Sequence, residues 1–472
     1  MMSDTTLEEA ARSLLPKQTR AVGLKFILVG LLALMMWIPA LFIYALVYER
    51  SGRASLVTEE IYQREGGEQK LAGPFLIIPA VEQVEGYRFD KDSKSPVMPV
   101  RRTYILLPET VTADIDLATE QRHRSIFTAT VYEAGVRVNG RFDPKSITVP
   151  QNTELLWSEA RIAMGLSSHH SLTGVRGAPA LSINGTPQTP AFQSGYEIID
   201  GPGETSDRRV ISGLSAPLSV GIRPQAFDYE LQMTLSGGGS IGFAPLGDST
   251  DVTMTGDWPH PGMTGSISPL SRTITEEGFE AGWRTSSLSR PLAHSFMADK
   301  EVGSQLMRQM LSVNLVNPDT PYGKINRSLK YALLFMGLIF LTVFLLEIIY
   351  KSRAHPSQYI LIGLAQVLFY VMVLALSEHV PFDTAFLGMA VVTVLLSGFY
   401  AASIFRRRAG GIVSALAFAG VYCLIWLLMK SEDFALLIGA SCAFTALAIT
   451  MFVTRNIDWY GVGGRKPDAQ TT

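Results

Sequence analysis

Gly238-Gly-Ser-Ile-Gly242 is the segment that comes nearest to a catalytic motif, because it matches the G-x-S-x-G turn that exposes a nucleophilic serine. Such a turn must lead into a helix, and Phe243-Ala-Pro245 is a poor helix start. The preceding strand also alternates apolar and polar residues, whereas the motif follows a strand buried on both faces. The segment therefore predicts a glycine-rich hairpin. S-x-x-K, H-E-x-x-H and Walker A sequences do not occur, so we expect no enzyme and no catalytic residue.

Three histidines stand in polar surroundings. His169 and His170 adjoin serines, and His123 lies between two arginines. A metal site needs several converging ligands, and no cluster of carboxylates or cysteines accompanies these side chains. We interpret all three as solvated loop positions and expect no metal and no cofactor.

Asp257-Trp-Pro-His-Pro261 places an imidazole and an indole between two prolines that fix the backbone. We interpret it as a rigid turn at the end of a strand, packed by Trp258. The alternative is a partner-binding edge that presents Trp258 and His260.

Ionisable and amide groups also occur in the apolar C-terminal part of the chain. Glu347 precedes Lys351 by about one helical turn, Gln366 falls near the middle of an apolar segment, and Glu378 and His379 follow its end. Polar groups at membrane depth are costly and often functional. Both carboxylates are placed at helix ends. A structural role there, capping a helix or pairing across helices, is an equal alternative to a functional role. A single amide such as Gln366 most often forms an interhelical hydrogen bond.

The elements that must position these groups are long apolar segments with short charged connectors. Each has close to the roughly 20 residues that an α-helix needs to cross a bilayer. An anchor helix is predicted over 26–48, with a kink at Pro39, and five further helices lie within 329–454: Leu329 to Ile349, Tyr359 to Leu376, Ala385 to Phe405, Ile412 to Met429 and Phe434 to Val453. The sequence therefore predicts a bundle of six transmembrane helices.

Basic residues fix the expected orientation. With residues 1–25 as a cytoplasmic tail, the cytoplasmic flanks carry nearly all the lysines and arginines of the short connectors, and the outer connectors carry only Lys430. This distribution satisfies the positive-inside rule. Residues 455–472 then form a second cytoplasmic tail, and residues 49–328 lie outside.

The outer region, 49–328, is polar and rich in glycine, proline, serine and threonine. A helical continuation of the anchor is expected over Ser55 to Glu65, and a short strand over Leu71 to Pro79. Phe227 to Leu235 alternates apolar and polar residues, as a half-buried antiparallel strand does. Briefer alternation near Val136, Val252 and Phe279 repeats the pattern. We predict a mostly antiparallel β-domain inserted between the first and second transmembrane helices.

Composition excludes nucleic-acid binding and a disulfide-stabilised outer domain. A net charge of -2 without a long basic run excludes nucleic-acid binding, which depends on clustered lysine and arginine. Cys423 and Cys442, the two cysteines, both fall in predicted membrane helices. The outer domain therefore has no disulfide framework.

Several blocks of the sequence are long and specific: His355-Pro-Ser-Gln-Tyr359, Ala375-Leu-Ser-Glu-His379, Leu71-Ala-Gly-Pro74 and Met451 to Tyr460. These blocks resemble the CreD family of bacterial inner-membrane proteins. The resemblance covers about Lys25 to Tyr460. It implies a role in cell-envelope integrity, a functional link to the CreBC two-component system, and an association with responses to β-lactams and colicins. It implies no catalytic residue.

A small cytoplasmic platform is predicted where the connector after the second helix meets the end of the sixth. His355, Arg455 and Asp458 emerge there, and Arg455 and Asp458 are close enough to pair if the helix continues. One interpretation is a positive-inside anchor with incidental pairing. The other is a platform that couples the outer domain to an inner partner.

Two function hypotheses follow. The first is an envelope protein whose periplasmic β-domain binds, senses or braces an envelope component. The second is a transporter or channel in which Glu347, Gln366 and Glu378 line a path through the lipid bilayer. The sequence lacks a repeat of short, broken helices, the usual mark of a transporter site.

Overall fold

A computed structural model describes residues 21–85, 97–167, 169–202, 207–218, 224–317, 321–430 and 434–455. The chain divides into two compact units, Met1–Arg53 with Asp319–Thr472, and Ala54–Pro318. The first is helical and the second is rich in β-strands.

Ten α-helices are described, and seven of them make up six spans that are long and apolar enough to cross a membrane. In chain order the helices are α1 Ala21–Met35, α2 Trp37–Arg64, α3 His169–Thr173, α4 Val302–Leu306, α5 Pro321–Lys330, α6 Ala332–Ile349, α7 Pro356–Ser377, α8 Phe382–Phe405, α9 Arg408–Lys430 and α10 Ala435–Thr454. Helices α1 and α2 together supply the first span, and α6 to α10 supply the other five. The six-helix prediction is confirmed.

The first span is interrupted at Met36, close to the expected kink. Pro39 has no N–H and cannot donate to the Met35 carbonyl, which weakens the helix one turn before the proline. Beyond the break α2 runs on to Arg64. The helical continuation predicted after the anchor is therefore confirmed.

The β-unit contains two sheets. Its strands are β1 Gln69–Glu85, β2 Val97–Leu106, β3 Thr110–Arg124, β4 Phe127–Phe142, β5 Thr153–Leu155, β6 Arg161–Leu166, β7 Val175–Ile183, β8 Thr186–Gln188, β9 Gln193–Pro202, β10 Asp207–Pro217, β11 Phe227–Gly238, β12 Ser240–Ala244, β13 Ser249–Gly256, β14 Pro261–Gly265, β15 Ser271–Ile274, β16 Phe279–Ser286, β17 Ser295–Met297 and β18 Leu311–Leu315. Sheet A has the order β14-β18-β12-β1-β6-β10-β9-β2-β17, with β5 also paired to β1. Sheet B has the order β15-β16-β13-β3-β4-β11-β7-β8.

Pairing is antiparallel apart from β1 with β12 and β3 with β13. The two sheets share one apolar core, to which β1 contributes Ile78, β4 contributes Val136 and β12 contributes Phe243. Alternation explains this core, because every second side chain of β3, β4 and β11 faces inward. The opposite side chains of sheet B are polar and mostly exposed. The mostly antiparallel β-domain is confirmed.

The strand predicted over Leu71 to Pro79 is confirmed, but it is part of the longer β1, which has 17 residues, and a register shift between Ala72 and Phe75 accommodates Pro74. Two other local predictions were wrong. Gly238 to Gly242 is a corner at which the chain leaves sheet B for sheet A.

The second error concerns the histidines, all three of which lie in regular structure. His123 is in β3, and His169 and His170 are in the short helix α3.

Candidate functional site

The Lys25 tier is a cluster of polar groups at one end of the helix bundle. Lys25 on α1 pairs with Glu347 on α6, and its Nζ also donates to the Ala354 carbonyl at 2.8 Å. The Tyr359 hydroxyl on α7 donates to the other carboxylate oxygen of Glu347 at 2.9 Å. Only 8% of the Glu347 side chain is exposed. These contacts join three helices at one carboxylate.

His355 is the N-cap of α7. Its Nδ1 accepts from the Ser357 backbone N–H, and the Gln358 side chain accepts from the His355 N–H at 2.9 Å. This is a capping box with proline at the first helical position. The sequence His-Pro-Ser-Gln could have signalled it.

Gln366 lies in the buried middle of the bundle, 4% exposed. Its Oε1 accepts a hydrogen bond from the Tyr422 hydroxyl of α9. Thr393 of α8 lies beside the same hydroxyl. The amide therefore joins neighbouring helices where lipid would surround them.

The Arg50 tier lies at the other end. Glu378 is the C-cap of α7, and its Oε1 is 3.7 Å from Arg50 Nη1 of α2 and 3.4 Å from the Tyr322 hydroxyl of α5. Burial, and then the Glu378 carboxylate, raise the pKa of Tyr322 to about 12. The hydroxyl thus stays protonated and donates a hydrogen bond to Glu378. His379, the next residue, is exposed.

One residue of the expected platform, Arg455, lies at the end of the described chain. Arg455 is the C-cap of α10 and lies over the Phe452 ring, 4.3 Å from its centroid. Asp458 lies outside the described residues.

Trp258 and His260, the candidates in the β-unit, precede β14 at the end of sheet A. The Trp258 indole is buried and donates to the Val316 carbonyl at 3.0 Å, whereas His260 is exposed.

Sheet B carries a groove on its polar face that sequence reasoning missed. It has a volume of about 500 Å³ and crosses five strands, β13, β3, β4, β11 and β7. Strand register aligns its side chains in two rows perpendicular to the strands. The first row is Thr255, Asp116, Gly135, Thr234 and Arg176, and the second is Thr253, Asp114, Arg137, Gln232 and Ala180.

Gly135 forms the floor of the groove in the first row. A Cβ built at this position would have no neighbour within 4 Å, and its backbone lies outside the left-handed region. Gly238 differs, because a Cβ there would meet Tyr62 Cδ1 at 2.1 Å. Neither packing nor backbone conformation explains a glycine at 135, and glycine weakens a strand interior. The missing side chain leaves space for a ligand.

Two groove residues are held by neighbours. Thr255 Oγ1 donates to Asp116 Oδ1 at 2.6 Å. Arg176 Nη2 lies 3.3 Å from Glu65 Oε2, just after the end of α2. These contacts orient a carboxylate and a guanidinium at the two ends of the first row.

An Asp–His–Ser arrangement in the loops of the β-unit was also missed. His294 Nδ1 is 3.0 Å from Asp248 Oδ2, and Nε2 is 2.9 Å from Ser146 Oγ. A catalytic serine donates its proton to the imidazole. Ser146 Oγ instead donates to the Asp143 carbonyl at 2.6 Å. The arrangement fastens loops together and does not prime a nucleophile.

Known proteins resemble this chain over most of its length. The family model described as inner membrane protein CreD matches residues 21–460. The chain belongs to the CreD family. Inner membrane protein CreD of Escherichia coli is 31% identical over 428 residues, which cover 90% of this chain and 91% of that protein. Membership in the CreD family and six apolar helices make this an inner-membrane protein that crosses the lipid bilayer several times.

A solved structure also resembles part of this CreD-family chain. It is an M1 zinc metallopeptidase mutant from Deinococcus radiodurans with a bound Tyr-Ser-Ala substrate, and the match covers 73% of this chain and 93% of that one. Sequence identity is 10% and the TM-score is 0.21, so this likeness carries no argument about the CreD family. The descriptions of the family and of its Escherichia coli member name no reaction.

Proposed function

We propose that this protein is a non-enzymatic envelope-integrity protein whose β-unit lies in the periplasm and binds an envelope component in the groove of sheet B. The groove carries the proposal, because it is a concave surface with charged, amide and hydroxyl side chains whose floor is open at Gly135. The CreBC system, the β-lactam response and colicin tolerance, which the family resemblance implies, belong to this proposal as its cellular setting.

The spacing of the two ionic tiers supports a membrane position for the bundle. Lys25 and Arg50 are 25 residues apart along the first span, which corresponds to roughly 37 Å of helix. That distance exceeds the roughly 30 Å of bilayer hydrocarbon. Both tiers therefore fit the headgroup layers, where charged side chains are hydrated.

Transport is less well supported by the same contacts. Glu347 and Glu378 are each bound to residues of other helices, and Gln366 is bound to Tyr422. Between the Lys25 tier and Gln366, a Cβ added at Gly363 would lie 2.8 Å from Met36 and 2.9 Å from Phe340. Helices α1, α6 and α7 are therefore in direct contact at that level.

Orientation can be tested with reporter fusions. Fusions after Arg353, after Arg407 and at the C-terminus should report cytoplasm, because basic flanks stay on that side. Fusions within 100–300 and after Val380 should report periplasm. Paired phosphatase and fluorescent-protein reporters at each site measure both outcomes, and a periplasmic C-terminus would overturn the proposed orientation.

Binding in the groove can be tested by photo-crosslinking in living cells. A photoreactive amino acid replacing Gln232, an exposed groove residue, should give adducts several-fold above background. The matched control is Arg284, which faces the same side of sheet B outside the groove with 73% of its side chain exposed. Equal yields at both positions, or none at position 232, would refute binding in the groove.

A further inference from the structure

The strands beneath the groove are already paired on both sides. β3 pairs with β4 and β13, β4 pairs with β3 and β11, and β11 pairs with β4 and β7. A peptide that adds a strand needs an exposed sheet edge. A ligand in the groove is therefore recognised by side chains.

Most side chains that reach the groove are polar, and Ala178 and Ala180 are the small apolar ones. Ile115, Val136 and Met233 contribute to its lining, but their side chains face the core and are 1%, 2% and 6% exposed. Protein and peptide ligands are usually anchored by aromatic or aliphatic side chains in apolar pockets. The groove offers no such anchor among its described lining residues.

The charged side chains of the groove lie beside opposite charges. Asp114 is directly opposite Arg137 in the β3–β4 register, Arg137 Nε also lies 3.6 Å from Glu230 Oε1, and Arg176 is paired with Glu65. A strongly anionic or cationic ligand would meet a like charge beside each opposite one. An uncharged ligand avoids this conflict.

Hydroxyl groups match this lining best. A hydroxyl donates one hydrogen bond and accepts others, so neighbouring hydroxyls can accept from an arginine and donate to an aspartate. Gln232 and the threonines also donate and accept. Each row crosses five strands, a length of roughly 19 Å at the usual spacing between strands. The rows therefore suit an extended, polyhydroxylated chain longer than one sugar ring.

We propose that the groove binds an uncharged saccharide chain lying along the two rows, perpendicular to the strands. This inference rests on the proposed function and names the chemical class of its ligand.

A substitution that fills the floor tests the inference. Full-length protein in detergent is titrated with three neutral probes, cellotetraose, maltotetraose and N-acetylchitotetraose, and binding is measured by ligand-observed NMR. Wild type should bind at least one of them. Gly135→Val should weaken that binding by about tenfold or more, because the new side chain occupies the ligand's place. Its melting temperature should not fall, since valine favours strands more than glycine does.

Ala118→Val is the matched control, because Ala118 is exposed on β3 outside the groove lining. It should leave saccharide affinity within about twofold of wild type. Absence of binding by all three neutral probes, equal loss in both variants, or tighter Gly135-dependent binding of the anionic polymer dextran sulfate would each overturn the proposal of an uncharged saccharide ligand. Crosslinks from position 232 together with any of these results would leave the proposed function standing and remove only this inference.

Discussion

Glu347→Ala is expected to lower the free energy of unfolding of the helix bundle by about 3–5 kcal/mol, the usual effect of removing one partner from a buried ion pair. Glu347 binds Lys25 and Tyr359, so its loss leaves the Tyr359 hydroxyl without its acceptor and the Lys25 cation without a counter-charge, with the Ala354 carbonyl as its remaining acceptor. Equilibrium unfolding of the full-length protein in detergent, followed by tryptophan fluorescence, measures the change.

Asp383→Ala is the matched control. Asp383 pairs with Lys430 at 2.8 Å, but 48% and 46% of the two side chains are exposed. Exposed pairs contribute about 0–1 kcal/mol, so this variant should remain close to wild type. The double variant Lys25→Met with Glu347→Leu should recover much of the lost stability, because no charge is then left unpaired. Equal effects of Glu347→Ala and Asp383→Ala would contradict the buried pair.

Arg290→Met should destabilise the β-unit by about 3 kcal/mol, since each buried acceptor left without a partner costs about 1–3 kcal/mol. Only 4% of the Arg290 side chain is exposed. It donates to the Leu246 carbonyl, to the Leu292 carbonyl at 3.1 Å and to Asp248 Oδ1 at 2.8 Å. Thermal unfolding of the full chain, monitored by circular dichroism in the β-sheet region, measures the loss.

Arg284→Met controls for the removal of a guanidinium as such. Arg284 pairs with Asp251 on the surface of sheet B, with 73% of its side chain exposed. It should shift stability by less than about 1 kcal/mol. A loss as small for Arg290→Met would show that the three contacts of Arg290 do not hold the loops together.

The membrane half could be predicted from sequence because its signal is local. A helix in lipid satisfies its own backbone, so length and apolarity suffice to locate it. The partners of its polar residues could not be predicted. Lys25 and Glu347 are separated by 322 positions, and only the packing of α1 against α6 brings them together.

In the β-unit, the alternation of apolar and polar residues located strands but did not give their order in the two sheets. β11 was predicted from its pattern, and its neighbours β4 and β7 follow from long-range pairing that no short window contains. Prolines misled the prediction of the length of β1, because Pro74 falls where the register shifts. The Gly238–Gly242 prediction failed because a glycine-rich turn can change sheets as readily as it closes a hairpin.

The groove was missed for the same reason. Its charged and hydroxyl residues come from five strands and look like ordinary solvated positions in each. Gly135 was the one local signal, because it interrupts a strand of good β-formers. Without the register, nothing distinguished it from glycines such as Gly238, which is required by the approach of Tyr62.

The parallel pairing of β3 with β13 has a consequence for how the β-unit acquires its native state. Thr110 pairs with Ser249, so the groove lacks one wall until the chain has been made well past Gly256. Sheet A is likewise incomplete until β12 has been made, because β1 pairs with β12 and Gln69 lies opposite Ile241. Contacts this distant along the chain slow folding and leave unpaired edges open in the meantime. The emerging β-unit should therefore depend on protection from aggregation during synthesis, and it can recognise a ligand only after its late strands have been added.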